Sequence, residues 1–151
     1  MCRAFRSPSA ISCTRDNGRR SGNATTTKLS SAVLIGIDWG SSNLRAALLD
    51  AQGALIDRRE SSDGVFTVKE GAFGAALWRL CGDWIVDHPV PVLACGMIGS
   101  KQGIVEVPYV ACPAAMKELA THLGRVALRC GSDAAGEPAV DLFIVPGLKA
   151  G

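Results

Sequence analysis

A pair of alternating runs joined by a short polar turn constrains the fold of this 151-residue chain more than any other feature. Val33–Trp39 and Asn43–Asp50 each alternate large apolar residues with polar or small ones, the period of a strand with one buried face. A third strand is predicted over Ala54–Glu60, because a turn-forming Ala-Gln-Gly sequence separates it from the second. Short links between three successive strands predict an antiparallel meander.

Helical and strand patterns alternate after the meander. Apolar residues at helical spacing begin at Phe73 and stop before His88, which precedes a proline. The short apolar run that follows, Val90–Cys95, is typical of a buried, parallel strand. The predicted order is β-β-β-α-β-α-β, an α/β fold. The elements after the meander are a loop (Ser61–Gly71), a helix from Phe73 that ends before His88, a strand (Val90–Cys95), a helix (Pro113 to about Leu123, stopped by Gly124) and a last buried strand (Leu142–Val145).

Composition divides the chain after residue 31. Residues 1–31 hold six basic residues and one acidic residue, so residues 32–151 are mildly acidic although the whole chain carries a formal charge of +2. The first segment lacks the apolar stretch of a secretory signal and resembles a transit peptide in composition. A disordered basic tail, or residues upstream of the native start, are the simpler explanations. The folded domain is therefore predicted to be 32–151.

Several function classes find no support in the sequence. Residues 32–151 show no basic stripe for nucleic acid, and no apolar run approaches the roughly 20 residues that span a bilayer. The six cysteines form no C-x-x-C pair and no zinc-type spacing with a histidine, so a reducing compartment fits better than a disulfide scaffold. Cys81 and Cys95 are predicted to be small buried residues.

The turn of the first hairpin concentrates polar residues that could carry chemistry. Asp38 ends an apolar strand, where a carboxylate needs a partner, and hydrated Mg²⁺ is a suitable one. Gly40 permits close approach of a phosphate, and successive amides through Ser41 and Ser42 could form a nest for its oxygens. The alternative is a simple turn in which Asp38 bonds to one of these serines. Two further donors share a face of the second strand: Asn43 and Arg45.

A second polar element directly follows the strand predicted at Val90–Cys95. Ligands of open α/β sheets bind in loops beyond the carboxyl ends of strands. Three glycines make this loop compact, and its polar residues give it reach, although the spacing does not match a Walker A loop. A glycine-rich surface turn is the alternative. The residues concerned are Gly96, Gly99 and Gly103, with Ser100, Lys101 and Gln102 between them.

Four segments together resemble the 2-dehydro-3-deoxygalactonokinase family. They are IGIDWGSSNLRAALLD, LCGDWI, ACGMIGSKQGIVEVPYVACPA and IVPGL, and the likeness extends from about Val33 to Leu148. The GMIGS-x-QG element with its downstream E-x-PY and CPA is the specific part, since the hairpin is shared by the wider actin-like group. The resemblance implies a ribonuclease-H-like (actin-like ATPase) domain, for which a meander followed by α-linked strands is the required layer.

The activity implied by the resemblance is ATP- and Mg²⁺-dependent phosphorylation of the C6 hydroxyl of 2-dehydro-3-deoxy-D-galactonate, in the cytoplasm. Its partners would be the sugar acid and ATP, without nucleic acid or membrane. The family's metal and phosphate motif carries over onto Asp38 and onto Gly40, Ser41, Ser42, Asn43 and Arg45. Its sugar-acid loop carries over onto Met97, Gly99, Ser100, Lys101 and Gln102.

The sequence departs from the family in three places. Lys101 stands where arginine is expected and so lacks a bidentate fork for a carboxylate. Ile104 stands where an aromatic residue is usual, and the chain stops at Gly151, where the family continues into a second domain. That domain is expected to supply most of the adenosine site and the general base. We therefore expect a truncated protein that binds nucleotide weakly and has negligible kinase activity alone.

Two other functions stay open on the sequence. A ribonuclease-H-like nuclease can begin with a similar Asp-x-Gly strand, but a two-metal site needs several converging carboxylates. A non-catalytic remnant or binding module would have the same sequence pattern, and a cooperative melt of a monodisperse chain would favour a working module. The downstream reading frame would discriminate best between these possibilities.

Overall fold

The computed structural model describes residues 31–130 and 139–151, so all but the last residue of the basic tail lies outside the described residues. The protein is a mixed α/β structure. Its strands are β1 (Ala32–Trp39), β2 (Leu44–Asp50), β3 (Leu55–Ser61), β4 (Val92–Gly96), β5 (Val110–Ala111), β6 (Gly124–Arg129), β7 (Ala139–Ile144) and β8 (Leu148–Lys149). Its helices are α1 (Phe73–Asp87) and α2 (Met116–Thr121), with a 3-10 turn at Met97–Gly99.

Six strands form the main sheet, in the order β3-β2-β1-β4-β7-β6. The predicted antiparallel meander is confirmed, because β2 pairs antiparallel with both β1 and β3. The prediction of a parallel strand after α1 is also confirmed, since β4 lies parallel to β1, and β7 lies parallel to β4. β6 closes the far edge antiparallel to β7, and β5 and β8 form a separate two-stranded ribbon.

The core lies against one face of this sheet. Alternation in β1 buries Ile35, Ile37 and Trp39 on that face, as the sequence predicts. α1 covers them, and the edge of the Phe73 ring meets Trp39 with the ring centroids 5.5 Å apart. The helix ends at Asp87 because the next residue precedes a proline and takes an extended conformation. Removal of this apolar surface from water is the main stabilising term of the fold.

The opposite face of the sheet carries no helix among the described elements. Right-handed crossovers that step in one direction along a sheet place both connections on the same side. Accordingly α1 and the segment after β4, through Ile98 and Val107, belong to one buried cluster. The other side holds a groove of about 430 Å³ lined mainly by apolar residues such as Leu34, Leu93 and Val145. Asp38 and Arg45 also line this groove.

The structure differs from the sequence predictions in three respects: it has additional strands, a shorter second helix and an exposed Cys95. β6 begins at Gly124, which was expected to stop a helix, and β5 and β8 were also not expected. α2 spans six residues rather than the predicted Pro113 to Leu123, because Ala115 is still extended and pairing of β6 with β7 begins at Gly124. Cys95 is exposed, since it lies on the open face of β4. Cys81 is buried as predicted, and burial raises the pKa of its thiol to about 12.

Candidate functional site

A row of charged residues crosses β1, β2 and β3 at the end of the hairpin. The register places Asp38 opposite Arg45 and Arg45 opposite Glu60, so all three side chains share one face. Arg45 Nη1 lies 3.3 Å from Asp38 Oδ2, and Arg45 Nε donates to Glu60 Oε1 at 3.1 Å. Asn43 Nδ2 donates to the same Glu60 oxygen at 2.8 Å. The predicted residues Asp38, Asn43 and Arg45 therefore form one network, joined by a residue that the sequence did not indicate.

The backbone of the hairpin turn is fixed from one side. The carbonyl oxygens of Gly40, Ser41 and Ser42 accept hydrogen bonds from the amides of Val65, Phe66 and Gly64, at 2.9, 3.0 and 3.1 Å. Within the described residues, the amides and hydroxyls of the two serines donate to nothing. The turn thus presents unused amide donors on the side away from the loop, because each amide points opposite to the carbonyl of its own trans peptide unit.

The loop after β3 supports this turn, and sequence reasoning missed it. The backbone of Gly64 packs directly against the turn. A Cβ at this position would overlap the backbone of Ser41 and Ser42, so only glycine fits here. Trp39 Nε1 donates to the carbonyl of Asp63 at 2.8 Å, and the Asp63 carboxylate pairs with Arg79 of α1 at 3.0 Å. A glycine within a predicted loop was the available signal, but nothing in the sequence gave its distance from the hairpin.

The second predicted element begins beside Asp38. The parallel register of β1 and β4 places Asp38 opposite Cys95 and Trp39 opposite Gly96. Gly96 has φ +98°, and a Cβ there would lie 2.6 Å from the Trp39 carbonyl oxygen and 3.4 Å from Asp38 Oδ1. Glycine is therefore required for the chain to leave β4 past the carboxylate.

The polar loop that follows is folded on itself. Ser100 Oγ donates to the carbonyl of Met97 at 2.7 Å, and the amide of Gln102 lies 3.3 Å from the same hydroxyl. Gly99 lies against Ile144 and Val107, so the loop rests on the core. Lys101 and Gln102 are exposed, and Lys101 makes no ion pair with another described residue. No hydrogen bond or ion pair joins Lys101 or Gln102 to the hairpin network within the described residues.

The residues at Asp38 fit a hydrated magnesium ion. The Asp38 side chain is 53% exposed, and Arg45 contacts Oδ2, so Oδ1 is left for another ligand. Residues 31–130 and 139–151 contain no cluster of three or more His, Cys, Asp or Glu side chains that could hold a metal ion. Mg²⁺ commonly uses one or two carboxylates, several waters and substrate phosphates. The simple turn, in which Asp38 bonds to Ser41 or Ser42, is not observed.

Comparison with known proteins identifies the family of this chain. The model of the 2-keto-3-deoxy-galactonokinase family matches residues 38–151. The chain belongs to the 2-keto-3-deoxy-galactonokinase family. The matched stretch begins at Asp38 and includes both the hairpin turn and the loop after β4.

Relatives in this 2-keto-3-deoxy-galactonokinase family are much longer than the chain. It is 33% identical to 2-dehydro-3-deoxygalactonokinase of Escherichia coli over 78% of this chain and 35% of the relative. It is 32% identical to a probable 2-dehydro-3-deoxygalactonokinase of Rhizobium meliloti over 56% of this chain and 28% of the relative. A crystal structure of a candidate 2-dehydro-3-deoxygalactonokinase from Sinorhizobium meliloti matches with a TM-score of 0.58 at 30% identity, over 76% of this chain and 34% of that one. The chain thus spans about a third of their length.

The described helices are short relative to a bilayer. None of those in residues 31–130 and 139–151 is long and apolar enough to cross a membrane.

Proposed function

We propose that this chain forms one wall of a kinase that transfers the terminal phosphate of ATP to the C6 hydroxyl of 2-dehydro-3-deoxy-D-galactonate. One observation carries the proposal: Asp38, at the end of β1, adjoins both the hairpin turn and the start of the loop after β4. Both elements lie in the segment that matches the 2-keto-3-deoxy-galactonokinase family. The strand order β3-β2-β1-β4-β7 supports a ribonuclease-H-like, actin-like domain.

Asp38 would hold Mg²⁺ through its uncommitted oxygen, and the ion would neutralise charge on the phosphate oxygens. The amides of Ser41 and Ser42 point away from their supporting loop and would bind phosphate oxygens as neutral donors. Arg45 adds a fixed positive charge beside Asp38, with a planar group suited to phosphate. Phosphoryl transfer depends mainly on positioning and charge stabilisation, which these residues supply.

The loop after β4 would bind the sugar acid. Lys101 provides an exposed cation without a partner among the described residues, so it is available to a substrate carboxylate. Met97 and Gly99 set the loop on the core, and Ser100 fixes its turn through the Met97 carbonyl. Gln102 offers an exposed amide to substrate hydroxyls. We assign the general base and most adenosine contacts to the part of the family's polypeptide that these 151 residues do not span.

Titration of the isotopically labelled 151-residue chain with ADP, with and without Mg²⁺, tests this proposal by NMR. We expect Mg²⁺-dependent shifts at the amides of Ser41, Ser42 and Asn43, with weak affinity because the chain spans about a third of its relatives. Chemical-shift changes spread over the whole surface, or no changes in a folded chain, would overturn the proposal that the hairpin turn binds nucleotide. ADP release that requires the keto-deoxy acid would contradict our expectation that the chain alone has negligible activity.

Cleavage and melting experiments, together with this titration, separate the kinase from the alternatives. The described residues hold no cluster of three or more potential metal ligands, which gives a two-metal nuclease no support. A nuclease would cleave single- or double-stranded nucleic acid, and the Asp38→Ala variant would lose that cleavage. A non-catalytic module would melt cooperatively but show no Mg²⁺-dependent response at the hairpin.

A further inference from the structure

Glu60 of β3 lies outside both sequence motifs but is the acceptor on which the hairpin donors converge. Its Oε1 accepts from Asn43 Nδ2 at 2.8 Å and from Arg45 Nε at 3.1 Å. Its Oε2 lies 3.4 Å from Arg58 Nη2. The hydrogen bond from Asn43, with the charge of Arg45, lowers the pKa of Glu60, so this carboxylate stays ionised at neutral pH.

This contact determines where the Arg45 guanidinium points. Glu60 binds its Nε, while Asp38 binds its Nη1 through one oxygen at 3.3 Å. Because the guanidinium is planar, the contacts at Nε and Nη1 together fix the plane of the group. The side chain is therefore shared between two carboxylates on either side of β2.

Loss of Glu60 would free Arg45 to rotate toward Asp38. An arginine and a carboxylate without competing partners favour a bidentate pair that uses both carboxylate oxygens. Such a pair would take the Asp38 oxygen that is uncommitted in the present arrangement. Asn43 would also lose the acceptor that anchors its side-chain amide beside the turn.

We propose that Glu60 is a positioning residue for the phosphate site: it holds Arg45 and Asn43 in place and so keeps one Asp38 oxygen available to Mg²⁺. The inference rests on the proposed kinase function, because it assumes that Asp38 binds the metal of a magnesium nucleotide. In this role Glu60 itself would contact neither metal nor nucleotide.

Charge alone predicts the opposite effect of removing Glu60. A negative side chain near a phosphate site repels the anion, so Glu60→Ala or Glu60→Gln should strengthen binding if only charge matters. A positioning role predicts weaker binding of Mg·ADP instead. The direction of the change therefore discriminates between the two explanations without any need for turnover.

The experiment is an NMR titration of the 151-residue chain with Mg·ADP, comparing the wild type, Glu60→Ala, Glu60→Gln and the control Glu70→Gln. Glu70 is exposed and bonds to no other described residue, so its variant makes the same change of charge away from the site. We expect Glu60→Ala to weaken binding about two- to fivefold, the size of one exposed charged pair. Glu60→Gln should weaken it less, because its amide oxygen still accepts from Asn43.

Each outcome decides one question. Unchanged or tighter Mg·ADP binding by both folded Glu60 variants overturns the positioning role while leaving the kinase proposal intact. An equal loss in Glu70→Gln also overturns the role, since the effect is then not local. If the folded wild type shows no Mg²⁺-dependent shift at the hairpin, the proposed function fails and the role of Glu60 fails with it. Should Glu60→Ala not fold, Glu60→Gln alone decides, because it preserves the shape of the side chain.

Discussion

Asp38 of β1 and Arg45 of β2 stand directly opposite each other, with Asp38 Oδ2 3.3 Å from Arg45 Nη1. Both side chains are about half exposed, and an ion pair in that setting is screened by solvent and contributes little to stability. The pair therefore contributes little to the fold, although its position is fixed by three strands. The pair places a carboxylate and a cation side by side next to the hairpin turn.

Substitution of Asp38 should accordingly affect binding and leave folding nearly unchanged. We expect Asp38→Asn to abolish the Mg²⁺-dependent part of the ADP response, because an amide is a much poorer magnesium ligand than a carboxylate. The free energy of unfolding, from urea titration, should change by about 1 kcal/mol or less. Asp57→Asn, in the exposed part of β3, is the matched control and should retain the response. An unfolded Asp38→Asn chain would contradict the prediction.

Gly96 should be far less tolerant of a side chain than Gly53, although both have positive φ. Alanine in a left-handed conformation costs about 1–2 kcal/mol by itself. A Cβ at Gly53 would contact nothing within 4 Å, so Gly53→Ala should cost no more than that. A Cβ at Gly96 would press on the Trp39 carbonyl oxygen at 2.6 Å, so Gly96→Ala should cost more. Equal losses of unfolding free energy in the two variants would show that the backbone at Gly96 relaxes freely.

Sequence patterns predicted the strands that have one clearly buried face. β1 and β2 alternate apolar and polar residues over seven or more positions, and β4 is a short apolar run. These patterns were enough to predict that the segments are strands and whether each pairs parallel or antiparallel. β6 was missed because Gly124 resembles a helix stop and only two apolar residues, Val126 and Leu128, mark its inner face. Its identity depends on pairing with β7, a tertiary contact that local spacing does not reveal.

The hairpin residues of the site were predictable, whereas their supports were not. Asp38, Asn43 and Arg45 are close in sequence, so strand geometry alone brings them together. Glu60 reaches them only through the register of β2 and β3, and a shift of one residue would turn it to the other face. Gly64 likewise contacts the turn through loop folding. How the loop after β4 acts on a substrate stays a prediction.

The two faces of the sheet should respond differently to loss of the same side chain. Leu142 is fully buried on the core face, so Leu142→Ala should lower the free energy of unfolding by about 2–5 kcal/mol. Leu93 lies on the open face, lines the groove and is only partly buried, so its truncation removes less buried area. Leu93→Ala should therefore cost less than Leu142→Ala. Urea unfolding of both variants measures the difference, and equal costs would mean that the open face is covered in solution.

The last prediction concerns acid stability through Asp83 of α1. Arg59 of β3 donates to both Asp83 oxygens, at 2.5 and 2.7 Å, and its guanidinium lies 4.3 Å from the centre of the Trp84 ring. These hydrogen bonds lower the pKa of Asp83 below that of an unfolded aspartate, which is about 3.9. The stabilisation is therefore complete above roughly pH 5 and is lost as pH falls through the lower, folded-state pKa.

Asp83→Asn removes that titration and tests the assignment. The difference in unfolding free energy between wild type and Asp83→Asn should be constant from about pH 5 to pH 8 and should shrink below about pH 4. Glu70→Gln, which bonds to no described partner, should track the wild type across the same range. Added salt should reduce the wild-type advantage at neutral pH, because the pair is exposed and therefore screened. A difference that persists unchanged to pH 2 would mean that Asp83 stabilises α1 through something other than its ionised pair with Arg59.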